Sequence, residues 1–153
     1  MAQSGWRPAK FRRCAVVLAL AALQLAAGPA LAEVRILASS GGEVTEFLEL
    51  FQRVRQTGER VVIDGPCVSA CTLVLSVVPR QSICVTRRAV LGFHAARWMD
   101  QAGRFYPASR ETRILAATYP APVRAWIARR GGLSGKLILL RGRELAALYP
   151  HCR

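Results

Sequence analysis

Ser69 and His94, 25 residues apart, are the residues in this chain whose types suit chemistry. A serine hydroxyl is a poor nucleophile until a base takes its proton, and imidazole, which titrates near neutrality, does this well. Ser69 follows Gly65-Pro66-Cys67-Val68, and His94 closes the run Ala89 to His94. Upstream, Ser39-Ser40-Gly41-Gly42 precedes an amphipathic segment. A glycine pair lets a backbone N–H approach a reacting atom with no side chain in the way. A serine that opens a helix has further N–H groups beside it. Two such donors would form an oxyanion hole, so the chemistry indicated is acyl transfer. Each feature also has a plainer reading. Ser69 could cap a helix, His94 could be a core histidine with one hydrogen bond, and Gly41-Gly42 could be a tight turn.

The elements around these residues follow from periodicity. Val34 to Ala38, Arg60 to Ile63, Ser82 to Thr86 and Ala89 to His94 read as short strands. Glu43 to Gln56 has apolar residues at 44, 47, 48, 50, 51 and 54, one face of a helix that Gly58 ends. Ser69 to Val78 is a largely apolar run that reads as a buried helix stopped by Pro79, although its Thr72, Val74, Val77 and Val78 also suit a strand. The alternation of strands and helices implies a small, mostly parallel sheet with crossover helices. All three chemical features then fall at strand carboxyl ends, where such sheets bind ligands. Arg97 to Pro107 reads as a loop. Ser109 to Tyr119 and Pro122 to Arg130 read as helices, Lys136 to Leu140 as a short apolar run, and Arg143 to Leu148 as a final helical turn. The C-terminal part is thus expected to be helical. Trp98, Tyr106, Tyr119 and Trp126 are expected in the core or at an interface.

At 153 residues the chain suits one domain. Residues 1–32 read as a signal peptide. Arg7, Lys10, Arg12 and Arg13 precede the uncharged run Cys14 to Ala27, and Ala30-Leu31-Ala32 offers a small-residue cleavage site. The expectation is an exported, periplasmic domain of residues 33–153. The alternative is an inner-membrane anchor formed by an uncleaved signal. Four of the 22 Lys and Arg lie in the first 32 residues, and none of the 9 Asp and Glu, which leaves the remainder near +9. Such a surface favours anionic partners, here a membrane surface. No nucleic-acid motif accompanies it. Cys67, Cys71, Cys84 and Cys152 suggest two disulfides in an exported domain, and three pairings are open. The cysteine spacing and the isolated His94 match no usual zinc pair, so neither metal nor cofactor is expected.

The three motifs in this order resemble the Clp-type serine peptidases of the Clp/crotonase superfamily. Ser39-Ser40-Gly41-Gly42 is similar to the glycine loop of that family, and Gly65 to Ala70 is similar to its nucleophile elbow. His94 ends a strand at a similar spacing. The resemblance covers residues 35 to 96. It implies a truncated Clp/crotonase-like α/β fold and a serine hydrolase acting on a peptide or protein. By the same resemblance, Ser69 is the nucleophile, His94 the base, and the N–H groups of Gly42 and Ala70 the oxyanion hole. Glu144, 50 residues beyond His94, is the candidate for the orienting acid, while Asp100 and Glu111 sit elsewhere relative to the motif. The resemblance also implies a homo-oligomer, in which a partner chain could cover the edge of a small sheet. The rival expectation is a non-catalytic binding or structural module that keeps the fold.

Overall fold

The β-branched runs form strands and the amphipathic runs form helices in a mixed α/β arrangement, described for residues 32–153 by a computed structural model. The expected signal peptide, apart from Ala32, lies outside the described residues. The first five strands are β1 (Glu33–Ile36), β2 (Arg60–Ile63), β3 (Pro66–Val68), β4 (Ile83–Val85) and β5 (Val90–Phe93). β1, β2 and β4 form a parallel sheet in the order β1-β2-β4. Val61, Val62 and Ile63 of its central strand are all buried, as expected for a strand covered on both faces.

Helix α1 (Val44–Thr57) crosses from β1 to β2. It buries Phe51 and Val54 and ends at Gly58, whose φ of +72° places it in the left-handed conformation. Leu50, expected on the buried face, is exposed. The face of α1 packs on the segment expected as one helix over Ser69 to Val78. That segment is a 3-10 helix, Ser69–Leu73, followed by one α turn, α2 (Val74–Val77). Its first residue is pinned in a non-helical conformation, which breaks the regular ladder.

The sheet is not single. β3 leaves the first sheet and pairs in parallel with β5, whose other edge takes the antiparallel β8 (Ile138–Arg141). The chain passes from one sheet to the other at Asp64-Gly65: Asp64 N donates to Ile36 O (2.8 Å) at the end of the first sheet, and Gly65 O accepts from Val90 N (3.2 Å) at the start of the second. A Cβ at Gly65 would overlap the Leu37 carbonyl, so only glycine permits this close passage. The region expected as a loop, Arg97 to Pro107, is instead a hairpin of β6 (Arg97–Met99) and β7 (Phe105–Pro107). Its alternation is hidden because residues on both faces are apolar or aromatic. α3 (Ser109–Thr118), α4 (Ala121–Arg129) and α5 (Gly142–Ala146) form the helical C-terminal part. Phe93 at the end of β5 meets Tyr119 edge to face at 5.4 Å and Trp126 at 5.9 Å, which ties these helices to the core.

The disulfides are Cys67–Cys71 and Cys84–Cys152, one of the three open pairings. The second holds the C-terminus along β4, where Val85 N donates to Pro150 O at 2.9 Å and Cys152 N to Val85 O at 3.1 Å. Two disulfides fit an oxidising compartment outside the cytoplasm. No described helix is long and apolar enough to cross a membrane.

Candidate functional site

Ser69 is the only described non-glycine residue with positive φ, at +57°. This conformation costs a residue with a side chain about 1–2 kcal/mol, so the surroundings must impose it. Four contacts do so. The Cys67–Cys71 disulfide brackets the turn with its Cα atoms 5.3 Å apart. Thr72, fully buried, donates from Oγ1 to the Ser69 carbonyl at 2.7 Å. That hydroxyl has one hydrogen, so the 2.6 Å bond to Tyr119 runs from the Tyr119 hydroxyl to Thr72 Oγ1. Burial pushes the Tyr119 hydroxyl up and keeps it a donor. From the other side, Val68 N donates to Ser39 O at 2.9 Å and Ser39 N to Pro66 O at 2.8 Å.

These last two bonds lay the glycine loop against the serine turn. Gly41, with φ of +85°, lies so close that a Cβ there would stand 2.6 Å from Ser69 Cβ and 2.9 Å from Ala70 N. The Gly41 N–H is used by Ser39 Oγ at 3.2 Å. The Gly42 N–H finds no acceptor among the described residues. Ala70 is the second residue of the 3-10 helix, so its N–H precedes the intrahelical bonds. The helix is too short for its dipole to matter, and any anion stabilisation would come from these individual N–H groups.

Ser69 and His94 line one small cleft of about 40 Å³, together with Val44, Leu73, Leu115 and Tyr119. His94 follows the last residue of β5, and Ala95 N is anchored to Ser134 O at 2.7 Å. His94 Nδ1 lies 2.7 Å from the Ala95 carbonyl. A carbonyl only accepts, so Nδ1 carries the hydrogen in this bond and Nε2 keeps the free lone pair. No hydrogen bond joins Ser69 Oγ to the ring.

Glu144 is not brought to the histidine. Both its oxygens accept from Arg130 Nη2, at 2.7 and 2.8 Å, and that guanidinium holds its carboxyl below the usual range. Asp100 is held at the hairpin turn by Arg104. The group that holds the His94 ring at Nδ1 is instead the Ala95 carbonyl, which no side-chain motif could reveal. Thr72 was the detectable signal that sequence reasoning missed: a polar residue inside an apolar run, three positions after the serine. All four described cysteines are used in disulfides, and no three His, Cys, Asp or Glu side chains converge on a metal site among the described residues.

Compared with known proteins, the chain matches no protein-family model and no curated protein.

Proposed function

We propose that this chain is an exported serine hydrolase of the Clp/crotonase type, acting on peptides or proteins. The observation that carries the reading is the left-handed backbone of Ser69 in a cleft shared with His94. A chain bears such strain where it exposes a reacting group. Ser69 Oγ would attack the substrate carbonyl carbon while His94 Nε2 accepts its proton. The carbonyl oxygen, now an anion, would be held by the Gly42 and Ala70 N–H groups. The protonated ring would pass its proton to the leaving amine, and water would then release the acyl group by the same steps in reverse. The Nδ1 bond to Ala95 O supports the tautomer this requires. The missing Ser69–His94 hydrogen bond is compatible with it, since catalytic hydrogen bonds tighten when substrate binds.

A non-catalytic module is favoured by one observation: no carboxylate contacts His94 among the described residues. A fluorophosphonate probe separates the two readings. The hydrolase reading expects the wild-type protein to be labelled and the Ser69→Ala and His94→Ala variants not to be. Folded, disulfide-bonded wild type that stays unlabelled overturns it.

A further inference from the structure

The β6–β7 hairpin concentrates exposed apolar surface. Trp98, Met99 and Phe105 are 52%, 60% and 58% exposed, three large side chains on six strand residues. The register sets Met99 opposite Phe105 and Trp98 opposite Tyr106. Strand alternation therefore puts Met99 and Phe105 on one face and the two rings on the other. Trp98 stacks on the half-buried Tyr106 with centroids 4.5 Å apart, and the Arg97 guanidinium lies 4.8 Å above the Phe105 ring. Asp100 closes the turn by accepting from Ala102 N, Arg104 N and Arg104 Nε, each at 2.9 Å. The hairpin is thus built in advance, yet no third described strand pairs with it. A two-stranded hairpin is marginal in water by itself, and clustered exposed apolar groups mark a binding surface.

Charge decides the occupant. Between residues 97 and 113 the exposed arginines are Arg97, Arg104, Arg110 and Arg113, against Asp100 and Glu111. With 4 of the 22 Lys and Arg and none of the 9 Asp and Glu before residue 32, the described part carries about +9. A second copy would bring the same positive field toward itself, whereas an anionic bilayer brings the opposite one. Aromatic and thioether groups beside arginines also suit the headgroup boundary, where apolar stems enter and guanidinium groups stay at the phosphates. We infer that the β6–β7 hairpin docks the protein edge-on on an anionic phospholipid bilayer, with the exposed Trp98, Met99 and Phe105 all entering the headgroup–acyl boundary. This does not depend on the chemistry at Ser69.

The apolar run at residues 14–27 could bind lipid unaided, so the readout must be local to the hairpin. Trp98 fluorescence, taken as wild type minus Trp98→Phe, is measured with vesicles of equal phosphatidylglycerol and acyl-brominated phosphatidylcholine. The expected result is quenching of the Trp98 signal. It should fall roughly fivefold or more in Met99→Ser/Phe105→Ser, and it should weaken in 0.5 M salt, roughly. Unchanged disulfides and urea midpoint certify that variant's fold. An unquenched Trp98 overturns the inference, as does full quenching in the double variant. A concentration-dependent dimer in sedimentation that the double variant abolishes also overturns it, by assigning the face to a second copy.

Discussion

Replacing Gly41 by alanine isolates the contact that shapes the serine turn. The new Cβ would stand 2.6 Å from Ser69 Cβ, 2.7 Å from Val68 O and 2.9 Å from Ala70 N. Comfortable separations begin near 3.5 Å, so the loop or the turn must retreat by roughly 1 Å. Two costs add. A side chain at φ of +85° costs about 1–2 kcal/mol. Overpacking against backbone costs about 1–3 kcal/mol more. The expected loss of stability is therefore about 2–5 kcal/mol, read as a lower urea midpoint. Gly131→Ala is the control: its φ is +87°, but nothing lies within 4 Å of the new atom. It should lose only the backbone part, about 1–2 kcal/mol. The consequence for chemistry is larger. A misplacement of about 1 Å costs on the order of a hundredfold in rate, and a blocked oxyanion donor costs about as much. Fluorophosphonate labelling should slow at least a hundredfold, roughly, in folded Gly41→Ala and stay unchanged in Gly131→Ala. If Gly41→Ala folds and labels at the wild-type rate, the glycine loop does not set the serine turn and the reasoning fails.

Two further outcomes follow from the cross-links and the one buried carboxylate. The Cys84–Cys152 bridge spans 68 residues and the Cys67–Cys71 bridge spans 4, so chain entropy assigns them about 4 and about 2 kcal/mol. Paired serine variants in urea unfolding should keep that order. Labelling should be hurt more by losing the short bridge, because it encloses Ser69; a reversed order in both assays would sink this account. Asp64 accepts from Arg88 at 2.6 Å, from Thr86 at 2.7 Å and from Arg35 at 3.0 Å. These partners, Arg88 first, hold its carboxyl well below the ordinary 3.8. Its contribution to stability is complete above that ordinary value. As pH falls below it, the unfolded chain takes up the proton first and the contribution shrinks. The urea midpoints of wild type and Asp64→Asn should therefore differ most at pH 7 and converge toward pH 2, roughly. A gap independent of pH would refute the assignment.

Local pattern was enough to place most elements. Arg60-Val61-Val62-Ile63 could be little but a buried strand, and the apolar spacing from Val44 to Val54 with Gly58 behind it could be little but a helix with a left-handed end. It also brought forward Ser69, His94 and the glycine loop, because residue types that suit chemistry and glycines that suit turns are visible in one dimension. Partner choice was not visible, since it depends on residues far apart in the chain. β-branched runs state that a strand will form but not which neighbour it takes, so the division into two sheets and the antiparallel β8 emerged only on folding. The same holds for Cys84 choosing Cys152, for Arg130 taking Glu144, and for the backbone oxygen of Ala95 holding the histidine ring. The left-handed turn at Ser69 is the clearest instance. Serine does not favour that conformation, and only the converging disulfide, Thr72 hydroxyl and glycine loop make it the lowest in energy.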